Sequence, residues 1–149
     1  MKNIVAKIIL IIMFFPLISI SQNTNMDETI NYLNKKFGRD CLLDTKNKDL
    51  ILKFYKNYYL IKEDKVSFFD IDTAKIYYSK EEKAIILKCY GNKKLVMRKI
   101  YKANIKRTYS RINIQYDTDS ISTSGVVNAF NHLIRLVQDE NYKSDKAFE

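Results

Sequence analysis

The feature that most constrains the fold is an amphipathic stretch near the C-terminus, Ser122 to Asn141. Its large apolar residues recur three and four positions apart, which places them on one face of an α-helix: Val126, Val127, Phe130, Leu133, Ile134 and Val137. The opposite face carries polar residues: Asn128, His132, Arg135 and Asp139. Six large apolar side chains need a partner surface, and the strand-rich region before them is the only one large enough. The sequence therefore predicts a sheet that this helix closes.

The region between residues 39 and 117 has the composition and period of β-strands. Seven segments are rich in β-branched and aromatic residues: Leu50–Lys56, Tyr58–Lys62, Lys65–Ile71, Ala74–Tyr78, Lys83–Tyr90, Lys93–Tyr101 and Ser110–Asp117. Most of the breaks, Glu63-Asp64 among them, have hairpin length and join only antiparallel neighbours. We expect an antiparallel meander of six or seven strands, curled into a small barrel or two crossed sheets.

A second amphipathic helix is predicted ahead of the strands, over residues 26–37. One apolar stripe runs through it, formed by Met26, Ile30, Leu33 and Phe37. Asn25 can cap its start, and Gly38 can end it in a left-handed conformation. The predicted fold class is therefore α+β, with an N-terminal helix, a strand meander and a C-terminal amphipathic helix.

The order of a strand meander followed by one C-terminal helix resembles the pleckstrin-homology-like (PH-like) superfold, over roughly Leu50 to Asn141. The resemblance implies a PH-like scaffold for lipid, peptide or protein recognition rather than catalysis. The phosphoinositide-reading hairpin of that superfold would lie near Lys53–Lys62, where Lys53, Lys56 and Lys62 occur without the motif's arginine. We therefore transfer the architecture and no site residues.

The first 21 residues have the features of a secretory signal peptide. Lys2 and Lys7 precede an uncharged apolar run, Ile8–Ile18, and small residues follow that run. The run is shorter than the roughly 20 apolar residues that a membrane-spanning helix needs. We therefore expect cleavage near Ser21-Gln22 and an exported product, periplasmic or secreted, without a stable membrane span. Residues 22–149 would then form a single PH-like domain.

The chain is basic, and its charge is unevenly placed. The net charge of +9 falls to +7 without the predicted signal peptide, which holds two lysines and no acid. Between Lys75 and Arg111 there are twelve Lys or Arg residues and two acids. One interpretation is a polyanion or acidic-glycan binder with a Lys/Tyr-rich strand surface, whose candidate ligand-binding residues are Lys93, Lys94, Arg98 and Lys99. The other is that lysines merely solvate the strand faces, because arginine forks, the better phosphate readers, are scarce.

Tyrosine is the remaining prominent residue type, and nine of the eleven tyrosines lie in the strand region. Aromatic platforms beside cations suit single-stranded nucleic acid or acidic glycans. Tyrosine also suits a half-buried pleated surface, which favours a structural role for most of them. An exported address argues against nucleic acid, so the expected partner is an envelope protein or an acidic glycan.

Residues that could carry chemistry are few. Cys41 and Cys89, the only cysteines, are either a disulfide pair or two separate buried thiols, with Cys89 sharing a strand face with Ile85 and Leu87. One histidine and no CxxC spacing exclude a structural zinc site, and we expect no metal and no cofactor. His132, the sole candidate general base, falls on the polar helix face. A small hydrolase built on it is therefore the weaker alternative to an exported, non-enzymatic binding or interaction module.

Overall fold

The computed structural model describes residues 25–117 and 120–146, so the predicted signal peptide lies outside the described residues. Helix α1 spans residues 25–37, and helix α2 spans Ser120–Lys146. Between them lie eight strands: β1 (Cys41–Lys46), β2 (Asp49–Lys56), β3 (Tyr59–Ser67), β4 (Ile71–Ser79), β5 (Ala84–Cys89), β6 (Val96–Ile100), β7 (Ile105–Tyr109) and β8 (Arg111–Gln115). The predicted α+β class, with a helix at each end of the strands, is confirmed.

The strands form two antiparallel sheets rather than a closed barrel. The five-stranded sheet has the order β1-β2-β3-β6-β7, and the three-stranded sheet has the order β4-β5-β8. The chain leaves the larger sheet after β3, builds the β4–β5 hairpin in the smaller one, and returns to pair β6 with β3. The prediction of antiparallel pairing is confirmed, whereas the expectation of one continuous meander is wrong.

Three details of the predicted strands are also wrong. The break expected at Glu63-Asp64 does not exist, because β3 runs through both residues. Asp64 is fully buried there and lies opposite Arg98 of β6. In addition, β1 and β7 were not among the predicted strands. Over its described residues the structure therefore has eight strands in place of the six or seven expected.

The hydrophobic core lies between the two sheets and beneath both helices. Alternate residues of β2 face it from the larger sheet, namely Leu50, Leu52 and Phe54. From the smaller sheet Ile85, Leu87 and Cys89 of β5 and Ile112, Ile114 of β8 complete it. Cys89 therefore shares the inner face with Ile85 and Leu87, as the strand pattern predicted.

Helix α2 covers the core with its apolar stripe. Five of the six predicted residues are buried, and the sixth, Val127, is partly buried against the core. The polar face is exposed as expected, His132 included. Burial of this stripe stabilises the fold by on the order of 10 kcal/mol, an upper bound from area. The helix begins at Ser120, two residues before the predicted start at Ser122.

Helix α1 packs beside α2 and is tied to β1. The Phe37 ring lies 5.5 Å from the Tyr116 ring and 5.9 Å from the Phe130 ring, measured between centroids. The Asn34 side chain accepts a hydrogen bond from the Leu43 N–H at 2.7 Å and donates one to the Leu43 carbonyl at 3.0 Å. The helix ends at Phe37, and the φ of +61° at the following Gly38 confirms the predicted left-handed stop. Neither helix, over its described residues, is long and apolar enough to span a membrane.

Candidate ligand-binding groove at the β6–β7 edge

Strands β6 and β7 form the most basic part of the larger sheet. Residues 83–116 contain no Asp or Glu, and both strands lie within that segment. Among the described strands, β7 pairs only with β6 and is therefore an edge of the sheet. Three consecutive residues of β7 are exposed to solvent: Lys106, Arg107 and Thr108. The edge thus presents charge as well as free backbone hydrogen-bonding groups.

The register of the two strands places like charges directly opposite each other. Arg98 lies opposite Arg107, and Lys99 lies opposite Lys106. Directly opposed like charges destabilise an antiparallel pair, because their side chains are among the closest across the ladder. Two such pairs in succession are therefore a feature that folding alone does not favour.

Among the residues that the structure describes, one of these four cations, Arg98, has a carboxylate partner. The Arg98 guanidinium donates from Nε to Asp64 Oδ1 at 2.6 Å and from Nη2 to Asp64 Oδ2 at 2.7 Å. The hydrogen bond to Asp64 raises the pKa of Arg98 above its usual value. The guanidinium carbon also lies 4.2 Å from the centroid of the Tyr109 ring. The structure therefore places Arg98 in an interior ion pair, apart from the exposed cations.

Lys99 lies on the outer face of the same strand. Its ammonium nitrogen is 4.4 Å from the centroid of the Tyr101 ring, and the Tyr101 hydroxyl donates to Glu63 Oε2 at 3.4 Å. The ring faces of Tyr101 and Tyr109 are thus partly covered by the protein's own cations. They support the sheet surface more than they offer open stacking platforms.

The exposed cations converge on a groove of about 540 Å³ at this edge. We define the β6–β7 groove by its lining residues, which are Lys94, Met97, Lys106, Arg107 and Thr108. Its three cations form no ion pair with any residue that the structure describes. Met97 supplies an apolar floor and is half exposed. The groove therefore combines three free positive charges with a small apolar surface.

The four candidate residues from the sequence are only partly brought together. Lys94 lines the groove, Lys93 is exposed beside it in the segment leading to β6, and Lys99 lies opposite Lys106. The sequence interpretation missed Lys106 and Arg107, because it did not assign β7 as a strand. The acid-free run from residue 83 to 116 was the signal that could have included them.

The two cysteines are free and buried, so the disulfide alternative is not formed in this structure. Cys41 lies in β1 of the larger sheet and Cys89 in β5 of the smaller one. Burial raises the pKa of the Cys41 thiol to about 12, an effect that the nearby Lys62 ammonium partly offsets. Burial likewise raises the pKa of Cys89. Both thiols are therefore protonated and unreactive near neutral pH.

His132, the candidate general base, lies in a shallow depression of about 340 Å³ between the two helices. It is exposed, and its Nε2 lies 3.0 Å from Asn25 Oδ1 on α1. Glu28 is the one carboxylate among the described residues that line this depression. Within the described ranges, no three His, Cys, Asp or Glu side chains are grouped as metal ligands would be.

Comparison with known proteins adds no relative: no protein-family model, no curated protein and no solved structure matches this chain. The candidate site therefore stands on its geometry and charge.

Proposed function

We propose that this chain is an exported, non-enzymatic binding module that recognises a polyanion, an acidic glycan in the simplest case, through the β6–β7 groove. The observation that carries the proposal is that two like-charged pairs face each other across β6 and β7: Arg98 with Arg107 and Lys99 with Lys106. Of these four cations, Arg98 is the one that pairs with a carboxylate, Asp64, among the described residues. The remaining cations lower the stability of the free protein and gain a counter-charge when a polyanion binds.

The shape of the groove supports a polymeric ligand over a compact one. The groove is open and lies along an edge strand, so a chain of negative charges could contact Lys94, Lys106 and Arg107 in turn. Lys93 and Lys99 lie next to it and extend the basic surface. Release of counterions from both surfaces would then drive binding, as it does for other polyelectrolytes.

The exported address and the PH-like architecture are part of the same proposal. Export is supported by the residue pattern of positions 1–21. The PH-like interpretation is supported by a pair of antiparallel sheets followed by a C-terminal helix. The strand order differs from the consecutive meander on which the PH-like interpretation was based, because β6 and β7 return to the larger sheet after β4 and β5.

Retention on a heparin column tests the proposal. The test variant carries Lys94→Glu, Lys106→Glu and Arg107→Glu, and it leaves the structural pair Arg98–Asp64 intact. The matched control carries Lys35→Glu, Lys46→Glu and Lys80→Glu, which change the net charge equally at exposed lysines elsewhere. We expect the wild type and the control to be retained at low salt and the test variant to flow through.

Two results would overturn the proposal. The first is a wild-type protein that is not retained at low salt. The second is equal weakening by the test and control variants, which would mean that net charge, and not this groove, accounts for retention.

A further inference from the structure

Another concavity, of about 500 Å³, lies where the two sheets meet. The β2–β3 hairpin lines one side with Phe54, Ile61 and Lys62, and β8 lines the other with Asn113 and Gln115. Strand β8 pairs only with β5, so the edge that borders the concavity has no neighbouring strand among the described residues. We call this concavity the seam pocket. It is separate from the β6–β7 groove, whose lining residues it does not share.

Lys62 is the residue that gives the seam pocket its chemistry. Its side chain is three-quarters buried on the inner face of β3, and its ammonium nitrogen lies 3.9 Å from the centroid of the Phe54 ring. Burial lowers the pKa of Lys62 from its usual value. A lysine in such a place is stabilised when an anion approaches it, because partly buried charges need a partner.

Among the described residues, the carboxylate beside Lys62 balances its charge only in part. The nearest carboxylate is Asp64, whose Oδ2 lies 4.0 Å from Lys62 Nζ, the outer limit for an ion pair. Both oxygens of Asp64 already accept short hydrogen bonds from Arg98. Lys62 and Arg98 thus share the one buried carboxylate of Asp64. Lys62, which lines the pocket, carries the positive charge that this carboxylate does not balance.

We propose that the seam pocket binds a small organic monocarboxylate, with its carboxylate on Lys62 and its apolar body against Phe54 and Ile61. The lining also holds Lys56 and Asp40, so its net charge is +1, which matches a monoanion. The amide side chain of Gln115 can donate to the same carboxylate, whereas the Asn113 amide already donates to Glu82 Oε2. A volume of this size is typical of small-molecule sites and exceeds what a bare ion fills.

The proposal is tested by titrating the ¹⁵N-labelled protein with benzoate and following its amide signals by NMR. Benzamide, a neutral molecule of nearly the same shape, and inorganic phosphate are titrated in parallel. We expect saturable benzoate-induced shifts at Phe54, Lys62 and Asn113, with a Kd on the order of 1 mM for a ligand of this size. Benzamide and inorganic phosphate should give no saturable shifts there.

Variants identify the group responsible. Lys62→Met keeps the apolar stem and should weaken benzoate at least about tenfold, since it removes a charge-assisted hydrogen bond. Lys62→Arg should retain binding, and Lys53→Met, a lysine of β2 outside the seam pocket, should not change it. The amide spectra show whether each variant is folded.

Four outcomes would overturn the proposal: no saturable benzoate shifts in the wild type, equal binding of benzamide, saturable phosphate shifts at the same residues, or unchanged affinity in a folded Lys62→Met. The first two exclude an organic carboxylate site. The third indicates a site for a simple inorganic anion, and the fourth shows that Lys62 does not hold the ligand.

Discussion

Arg98 and Asp64 form a bidentate ion pair that joins β6 to β3 on the inner face of the larger sheet, with N–O distances of 2.6 and 2.7 Å. Asp64 is fully buried, and the Arg98 side chain is largely so. This pair explains why β3 continues through a charged dipeptide that would otherwise end it. It also distinguishes Arg98, which has a structural role, from the exposed cations of the same basic segment.

We expect Arg98→Met to destabilise the protein by about 3–5 kcal/mol, because it leaves the buried Asp64 carboxylate without its main partner. Urea unfolding followed by circular dichroism measures this free energy. Arg107→Met is the matched control on the facing strand. It should change the free energy of unfolding by less than about 0.5 kcal/mol, because Arg107 is exposed and is opposed by a like charge.

The double variant Asp64→Leu with Arg98→Met separates loss of the pair from loss of packing. Replacing both charges by apolar groups of similar size is often close to neutral. We therefore expect the double variant to recover most of the stability lost in Arg98→Met. A single variant that loses less than about 1 kcal/mol would contradict the structural role of the pair.

Much of the fold is predictable from the sequence, because local patterns set most of it. The apolar stripe of α2 depends on neighbours within a few residues, and the structure confirms it. The same local reasoning wrongly predicts a strand break at Asp64, because the arginine that pairs with this aspartate lies 34 residues further along the chain.

The candidate groove is less predictable for a related reason. Strand β7 is an edge strand with three consecutive exposed residues, so it lacks the strict apolar alternation that identifies a half-buried strand. The opposition of Lys99 to Lys106 depends on the register of β6 against β7, which no local pattern states. The net charge follows from the sequence, but the convergence of these cations on one groove does not.

We expect Phe130→Asp to abolish cooperative folding. Phe130 is fully buried, with its ring 5.9 Å from Phe37 of α1. Loss of the ring costs about 3–5 kcal/mol, and burial of an unpaired carboxylate adds several more, which together approach the whole stability of a domain.

Thermal unfolding followed by circular dichroism is the measurement for Phe130→Asp. His132→Asp, an exposed substitution in the same helix, is the control and should melt close to the wild type. A soluble Phe130→Asp protein with a cooperative transition would show that α2 is an appendage and not part of the core.

Stability should fall at high pH because of Cys41. Its pKa is about 12 in the folded protein against 9.0 ordinarily, so the unfolded chain loses this proton first. The stabilisation is present below pH 9 and is lost as the pH rises toward 12. The loss approaches about 1.4 kcal/mol per pH unit within that window.

The comparison that isolates this effect is wild type against Cys41→Ala, with the free energy of unfolding measured in urea between pH 8 and about 10.5. Lysine and tyrosine titrations are common to both proteins. We expect the difference in stability between them to shrink as the pH rises. A constant difference across this range would mean that Cys41 is not held protonated by burial.

Gly125 of α2 lies against Tyr32 of α1, and a Cβ atom at this position would be 2.7 Å from the tyrosine hydroxyl oxygen. Glycine to alanine inside a helix ordinarily gains about 0.5–1 kcal/mol. We expect Gly125→Ala to lose that gain in the wild type, because Tyr32 must move, and to recover it in a Tyr32→Phe background. A double-mutant cycle measures the coupling, and additivity within about 0.3 kcal/mol would contradict the contact.

The central claim, that exposed cations of the β6–β7 groove bind a polyanion, is tested most directly by salt dependence. The Kd for a heparin oligosaccharide of defined length is measured across a range of sodium chloride concentrations. The comparison is between wild type, a groove variant (Lys94→Gln, Lys106→Gln, Arg107→Gln) and a control variant (Lys35→Gln, Lys46→Gln, Lys80→Gln). Each cation that contacts the ligand contributes roughly one to the slope of log Kd against log salt. We expect that slope to fall by about two to three in the groove variant and to stay unchanged in the control. Equal slopes in all three proteins would contradict the claim.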